Sequence, residues 1–294
     1  HEPQWRSVSR LFKRTVPRLV ELKMAAGRRL VVTQDHPVVV WEDGHLTQRA
    51  AAEVRPGDRI PLLAQLPRSK DSTEPIDVIS AVDEPLIVRL PRAWTPTIEV
   101  RRALRDEMPK ADRRHYWLSR SELPVAVFTA LEPMLALDRR DLEVRLSSPK
   151  SNTTPAVIDI DADLARLIGY YLAEGCCSPD GATIRVIWTF ARSKRDSRWV
   201  ADVCDILSKL GIRFRVEERE STTAVIVSSR VFGRLLRDVL ECGSKSSEKQ
   251  IPSVVLQGPA ELRLELLKGL FRGDGCVTSS THGTTVKVSR LTPS

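Results

Sequence analysis

Apolar and polar positions along the chain follow two periods, and the period changes part-way. Over residues 7–62 the pattern is short-ranged: residues 7–12 and 18–23 alternate, and residues 30–33 and 38–41 are brief apolar runs. Ala26-Gly27-Arg28 and Glu42-Asp43-Gly44 punctuate them as turns. Many short strands predict an all-β module. Farther on, helical spacing predicts helices over residues 98–108 and 125–137, from Ser193 or Asp196 to Leu210, and over residues 231–240. Strands are predicted over residues 182–190, 212–218, 223–228, 276–279 and 285–289. Residues 67–72 and 147–155, rich in Ser, Thr and Pro, read as linkers.

One apolar pattern occurs twice, 100 residues apart. Leu167-Ile168-Gly169-Tyr170-Tyr171-Leu172-Ala173-Glu174-Gly175 is matched by Leu267-Lys268-Gly269-Leu270-Phe271-Arg272-Gly273-Asp274-Gly275. In each copy two small residues stand four apart, Gly169 with Ala173 and Gly269 with Gly273, which puts them on one helix face. Such faces let two helix backbones approach closely. Gly175 and Gly275 are expected to end the helices in a left-handed conformation. Glu174 and Asp274 would then stand side by side at the foot of the pair. An acid is unfavourable near a helix C-terminus, so its repetition suggests a purpose. Paired acids there point to divalent metal and phosphodiester chemistry.

These segments resemble the paired motifs of LAGLIDADG homing endonucleases. The resemblance implies an α+β domain over residues 156–294, an αββαββ-type saddle lying along double-stranded DNA. It implies Mg²⁺ (or Mn²⁺) held by Glu174 and Asp274, the metal stabilising both the attacking water and the leaving oxygen. Lys249, in Lys249-Gln250-Ile251-Pro252, resembles the block that carries a catalytic lysine in intein nucleases. Arg185, Trp188, Arg192, Lys194, Arg215 and Lys287 are the expected DNA contacts. Only 19 residues follow Gly275, so the second saddle is expected to be largely absent; the intact protein is expected to be monomeric.

Residues 1–66 resemble the N-terminal part of the Hint fold of inteins. One block is Gly27 to Thr33-Gln34-Asp35-His36-Pro37, and a later one is Val54-Arg55-Pro56-Gly57-Asp58-Arg59-Ile60. In that family the His protonates the scissile amide nitrogen while the Thr supports the geometry, so Thr33 and His36 are expected to assist splicing from host exteins in cis. The chain opens with His1-Glu2 and closes with Thr292-Pro293-Ser294, without the family's terminal nucleophile or cyclising Asn. It therefore reads as a fragment that does not itself splice. The expected whole is multi-domain, an intein with an embedded nuclease. The alternatives are a stand-alone LAGLIDADG endonuclease and a LAGLIDADG-derived DNA-binding protein without cleavage.

Charge changes the picture modestly. The net charge is +8, which suits a polyanionic partner. Residues 86–150 carry 13 basic and 9 acidic groups, and residues 156–294 carry 20 and 17. Residues 67–155 are thus a linker and possible DNA-recognition region, with Arg101, Arg102 and Arg105 on an exposed helix face and Tyr116 and Trp117 among basic residues. His115 has no partner at metal-ligand spacing. The 5 cysteines lack zinc-ribbon spacing, which suggests reduced thiols and a cytoplasmic setting. Cys176 and Cys177 are expected to be small packing residues. No apolar run approaches the roughly 18 residues of a membrane span.

Overall fold

The computed structural model describes residues 15–24, 28–62, 72–147, 152–180, 183–193, 196–280 and 283–288. Side chains of Asp180 and of residues beyond Gly275 lie outside that description. The chain divides into two compact units, His1–Ser69 and Lys70–Ser294.

In the first unit, β1 (Leu19–Lys23) pairs antiparallel with β2 (Arg29–Thr33), and β3 (Pro37–Glu42) with β4 (His45–Ala50). Asp43 and Gly44 both have positive φ, 49° and 85°, the geometry of a two-residue turn that matches strand twist. Inward alternation places Val38 and Val40 in a small core with Ala51; Val20, Leu22, Val32, Val54 and Ile60 pack around it. The strand expected over residues 7–12, and Ala26 and Gly27 of the expected turn, lie outside the described residues.

The second unit begins with β5 (Ile76–Asp77) and α1 (Val78–Ala81). A four-stranded antiparallel sheet follows, in the order β7-β6-β8-β9. Its strands are β6 (Leu86–Arg89), β7 (Glu122–Pro124), β8 (Glu143–Leu146) and β9 (Thr154–Pro155). Helices α2 (Ile98–Glu107), α3 (Ala111–Leu118) and α4 (Val125–Leu135) cover it. Thr97 caps α2 by accepting from the Val100 amide, and Arg101, Arg102 and Arg105 are exposed along it. These strands were not anticipated, and residues 147–155 are more than a linker, since Thr154 is buried and pairs with Val144.

The repeat region starts with β10 (Val157–Ile158), paired with β5, and α5 (Ala162–Glu174), whose first turn is capped by Asp161. Strands β11 (Gly175–Asp180), β12 (Thr183–Ala191), β13 (Arg215–Glu218) and β14 (Thr222–Ser228) form an antiparallel sheet in the order β11-β12-β14-β13, with α6 (Asp196–Lys209) between β12 and β13. The chain continues through α7 (Arg230–Arg234), a π-helical turn over Leu235–Val239, α8 (Ser253–Gln257) and α9 (Ala260–Asp274). It ends in the hairpin β15 (Gly275–Ser280) and β16 (Gly283–Val288). Inward residues of β12, Val186, Trp188 and Phe190, join Leu164, Tyr170 and Tyr171 of α5 in one continuous core. That core also takes in Leu86, Val88, Leu123, Phe128 and Val144 of the preceding layer.

Candidate functional site

Helices α5 and α9 lie against each other through glycine. A Cβ added at Gly169 would overlap the Leu266 carbonyl oxygen and stand 2.8 Å from the Leu270 amide nitrogen. One added at Gly269 would overlap the Arg166 carbonyl oxygen and stand 2.8 Å from the Tyr170 amide nitrogen. The two contacts are reciprocal, as the 100-residue repeat requires. One turn on, a Cβ at Gly273 would collide with the Ala173 methyl and lie 2.9 Å from Glu174 Cγ and 3.5 Å from its Oε1. The Glu174 side chain therefore rests against the last turn of α9.

The glycines after the acids act differently from expectation. Gly175 has φ −100° and ψ 161°, and Gly275 φ −80° and ψ 137°, both extended rather than left-handed. Each passes directly from helix into strand. Glycine is required there by space: a Cβ would lie 2.5 Å from the Tyr171 ring at Gly175, and 2.6 Å from Phe271 Cγ at Gly275.

Glu174 and Asp274 are both half-buried. Burial pushes the Glu174 carboxyl above its usual range, Asp274 adds to the push, and Lys249 opposes it. Burial likewise raises the Asp274 carboxyl against the pull of Lys249. Lys249 is only 8% exposed. Its Nζ donates to the Ala173 carbonyl oxygen at 3.4 Å and stands 5.7 Å from the Tyr171 ring centroid. Two partly dehydrated carboxylates, each above its usual pKa, suit a divalent cation, which relieves what burial costs them. Among the described residues no group of three or more His, Cys, Asp or Glu is arranged to hold a metal. Two carboxylates are hard oxygen donors, the chemistry of a divalent cation that keeps part of its water.

The expected DNA contacts separate. Arg185 projects from β12 on the face away from the helices, together with Arg215 on β13, through the pairings Arg185↔Ser228 and Arg215↔Ile226. Arg215 forms an ion pair with Glu217 at 2.8 Å, and Arg192 with Glu218 at 3.1 Å. Trp188 is a correction: it is fully buried and packs edge-on against Tyr171 with ring centroids 6.2 Å apart. Residues 185 and 188 differ by an odd number, so on one strand they face opposite ways. Lys194 lies outside the described residues. Lys287 stands opposite Cys276 in the last hairpin, its side chain outside the description. Cys177 is buried but Cys176 is exposed, so only the former is a packing residue.

Thr33 ends β2 and His36 follows in the turn to β3, where the His36 amide donates to the Thr33 carbonyl at 3.1 Å. Thr33 is half-buried and His36 exposed. In the 67–155 region, His115 is exposed, and Arg120 lies 4.5 Å over the Tyr116 ring. A cavity of about 320 Å³ is lined by Arg89, Arg92, Arg120, Ser121, Glu122 and Arg145. Its floor is a buried two-point pair, Arg145 Nε to Glu122 Oε1 at 2.9 Å and Nη2 to Oε2 at 2.5 Å.

Sequence reasoning missed the polar cluster beside the acid pair. Asp202 of α6 meets Arg166 and Tyr170 of α5 and Arg272 of α9. The signal available was Arg166 and Arg272, charged residues close to the small-residue face of each repeat helix.

No protein-family model matches the chain. An uncharacterized protein of Methanocaldococcus jannaschii is 28% identical over 290 residues, covering 94% of this chain and 31% of that protein. The DNA polymerase II large subunit of Thermococcus kodakarensis is 26% identical over 277 residues, 89% of this chain and 14% of the subunit. The DNA-directed RNA polymerase subunit Rpo1C of M. jannaschii is 22% identical over 278 residues, 94% and 25% respectively. The chain thus spans at most 31% of the length of these curated relatives. Among solved structures, I-DmoI in complex with DNA and Mn is similar over 40% of this chain and 64% of that one, with 14% identity and a TM-score of 0.31; another solved chain is described as the homing endonuclease I-DmoI.

Proposed function

We propose that the chain is part of an intein carrying a LAGLIDADG-type homing endonuclease, and that Glu174 and Asp274 form its site of metal-dependent DNA cleavage. The observation that carries this reading is the approach of the two acids, Asp274 acting on the Glu174 carboxyl, from two helices in contact through Gly169 and Gly269, with the buried Lys249 beside them. The relatives add support of a different kind. Similar sequence occupies a minor part of a DNA polymerase subunit and of an RNA polymerase subunit, which suits an element inserted into unrelated hosts.

In this reading Glu174 and Asp274 would hold Mg²⁺ or Mn²⁺, which would supply charge stabilisation to the phosphodiester being broken. Lys249 Nζ, held by the Ala173 carbonyl, presents its protons to the nucleophilic water or to a phosphate oxygen as charge develops. Arg185 and Arg215, on the outer sheet face, take backbone phosphates and set the register of the duplex. In the first unit Thr33 and His36 serve splicing, His36 giving a proton to the leaving amide nitrogen.

The test is cleavage of an allele of the host gene that lacks the insertion, using the full-length parent protein and Mg²⁺ or Mn²⁺. Chelation should abolish cutting, Glu174→Gln or Asp274→Asn should bring it below detection, and Lys249→Met should slow it by about 10²–10³-fold. Cleavage that survives both acid substitutions would overturn the assignment. Splicing is tested separately in the parent, where His36→Ala should block the first step and leave DNA cleavage intact.

A further inference from the structure

The α5/α9 interface of Gly169, Ala173, Gly269 and Gly273 sets how close the helices lie. Directional polar contacts to both helices centre on Asp202 of α6, on one flank. Asp202 Oδ2 accepts hydrogen bonds from the Tyr170 hydroxyl at 2.8 Å, Arg166 Nε at 3.0 Å and Arg272 Nη1 at 2.9 Å. Its Oδ1 accepts from Arg166 Nη2 at 3.2 Å. Arg272 Nη1 also donates to the Tyr170 hydroxyl at 2.9 Å, and its guanidinium lies 4.7 Å from the Trp199 ring centroid on α6. Arg166 extends the same network to Glu265 of α9 at 2.8 Å.

The placement of these groups is specific. Tyr170 lies one turn before Glu174, and Arg272 two residues before Asp274, so one carboxylate grips each helix in the turn that presents its acid. The repeat does not copy the arrangement. One hundred residues from Tyr170, Arg166 and Arg272 stand Leu270, Leu266 and Leu172, none of which can join such a network. Both helices are therefore tied to α6 by residues that the repeat does not duplicate.

We propose that Asp202 is a positioning residue for the acid pair, fixing the rotation of α9 against α5 and hence the place of Asp274 relative to Glu174. The proposal rests on the reading of Glu174 and Asp274 as metal ligands. Charge-assisted bonds to one carboxylate from both helices are directional where glycine contacts are not. Loss of Asp202 should thus leave the helices packed but let the acids drift from the separation a cation needs.

The experiment is Mn²⁺ binding by titration calorimetry on the full chain, below the melting temperature of every variant. Asp202→Ala should weaken Mn²⁺ binding about tenfold, equivalent to ~1.4 kcal/mol. Asp202→Asn keeps one accepting oxygen and should fall between, which also serves if the alanine variant does not fold. Arg272→Met should lose a similar factor, and combining it with Asp202→Ala should add little, as expected for partners in one network. Arg140→Ala, which breaks the remote Arg140–Asp159 pair, should leave Mn²⁺ binding unchanged. If Glu174→Gln abolishes binding while Asp202→Ala and Asp202→Asn merely lower the melting temperature, Asp202 is only structural and the proposal is overturned. If Glu174→Gln leaves Mn²⁺ binding intact, the acid-pair reading falls first and takes the proposal with it.

Discussion

At the scale of single residues, Gly169 and Gly269 decide whether the site can form. Each Cα faces the opposite helix backbone with no room for a methyl group. Alanine at either position must push the helices apart and cost about 1–3 kcal/mol or more, read from the denaturant midpoint. The acids they bring together carry an opposite sign. Glu174 and Asp274 sit above the usual carboxylate range, so the unfolded chain releases their protons first. In the window from about pH 4.3, the unfolded Glu value, up to the folded pKa, the folded state holds more protons and loses stability as pH rises. In metal-free protein Glu174→Gln is therefore expected to melt higher than the parent at neutral pH and equally below the window. Calorimetry in chelator at both pH values reads this; a lower melting temperature at neutral pH would contradict the electrostatic account.

At the scale of elements, β12 shows how one period sorts function from packing. Ile184, Val186, Trp188 and Phe190 point into the core, and Arg185 points out. Trp188→Ala should cost about 3–5 kcal/mol of stability. Arg185→Ala should cost little stability but lower DNA affinity uniformly across sequences, reducing the slope of log affinity against log salt by about 1. Chemical denaturation and a salt titration of DNA binding separate the two effects. Much of this element level was legible beforehand. The helix expected over residues 98–108 is found at Ile98–Glu107, and the strand over residues 182–190 at Thr183–Ala191. Strands β6–β9 were not legible, because they are short and pair across long intervals, as Leu86 does with Leu146.

At the scale of the whole molecule, the layer before the repeat region belongs to the same core. The Val78 amide donates to the Ala156 carbonyl at 2.8 Å, and Glu84 accepts from Arg230 and Arg234 at 2.9 and 3.0 Å. Val78, Val82 and Leu86 bury themselves among residues that include Ile158 and Leu235. A fragment beginning at residue 156 would expose that apolar surface. It is expected to lose cooperative unfolding, whereas residues 70–294 together should retain it; circular dichroism on heating distinguishes the two. Among its described residues, the first unit buries Val38, Val40 and Ala51 in its core, a smaller apolar cluster than that of the second.

The sequence by itself carried the repeat: two segments with small residues four apart and an acid-glycine pair after them, Gly169, Ala173 and Glu174 in one and Gly269, Gly273 and Asp274 in the other. That the two faces meet is a tertiary outcome, made possible because Gly169 and Gly269 leave room for the opposite backbone. The sequence also determined the β3–β4 turn, where Asp43-Gly44 suits positive φ. Tertiary structure alone decided the rest. That Lys249 reaches the end of α5, that Trp188 faces Tyr171 and that Asp202 joins Arg166, Tyr170 and Arg272 depends on how elements separate in sequence pack; Arg166 and Asp202 are 36 residues apart. No local period carries that information: which long polar side chain meets which is set by how the packed helices and sheet close upon one another.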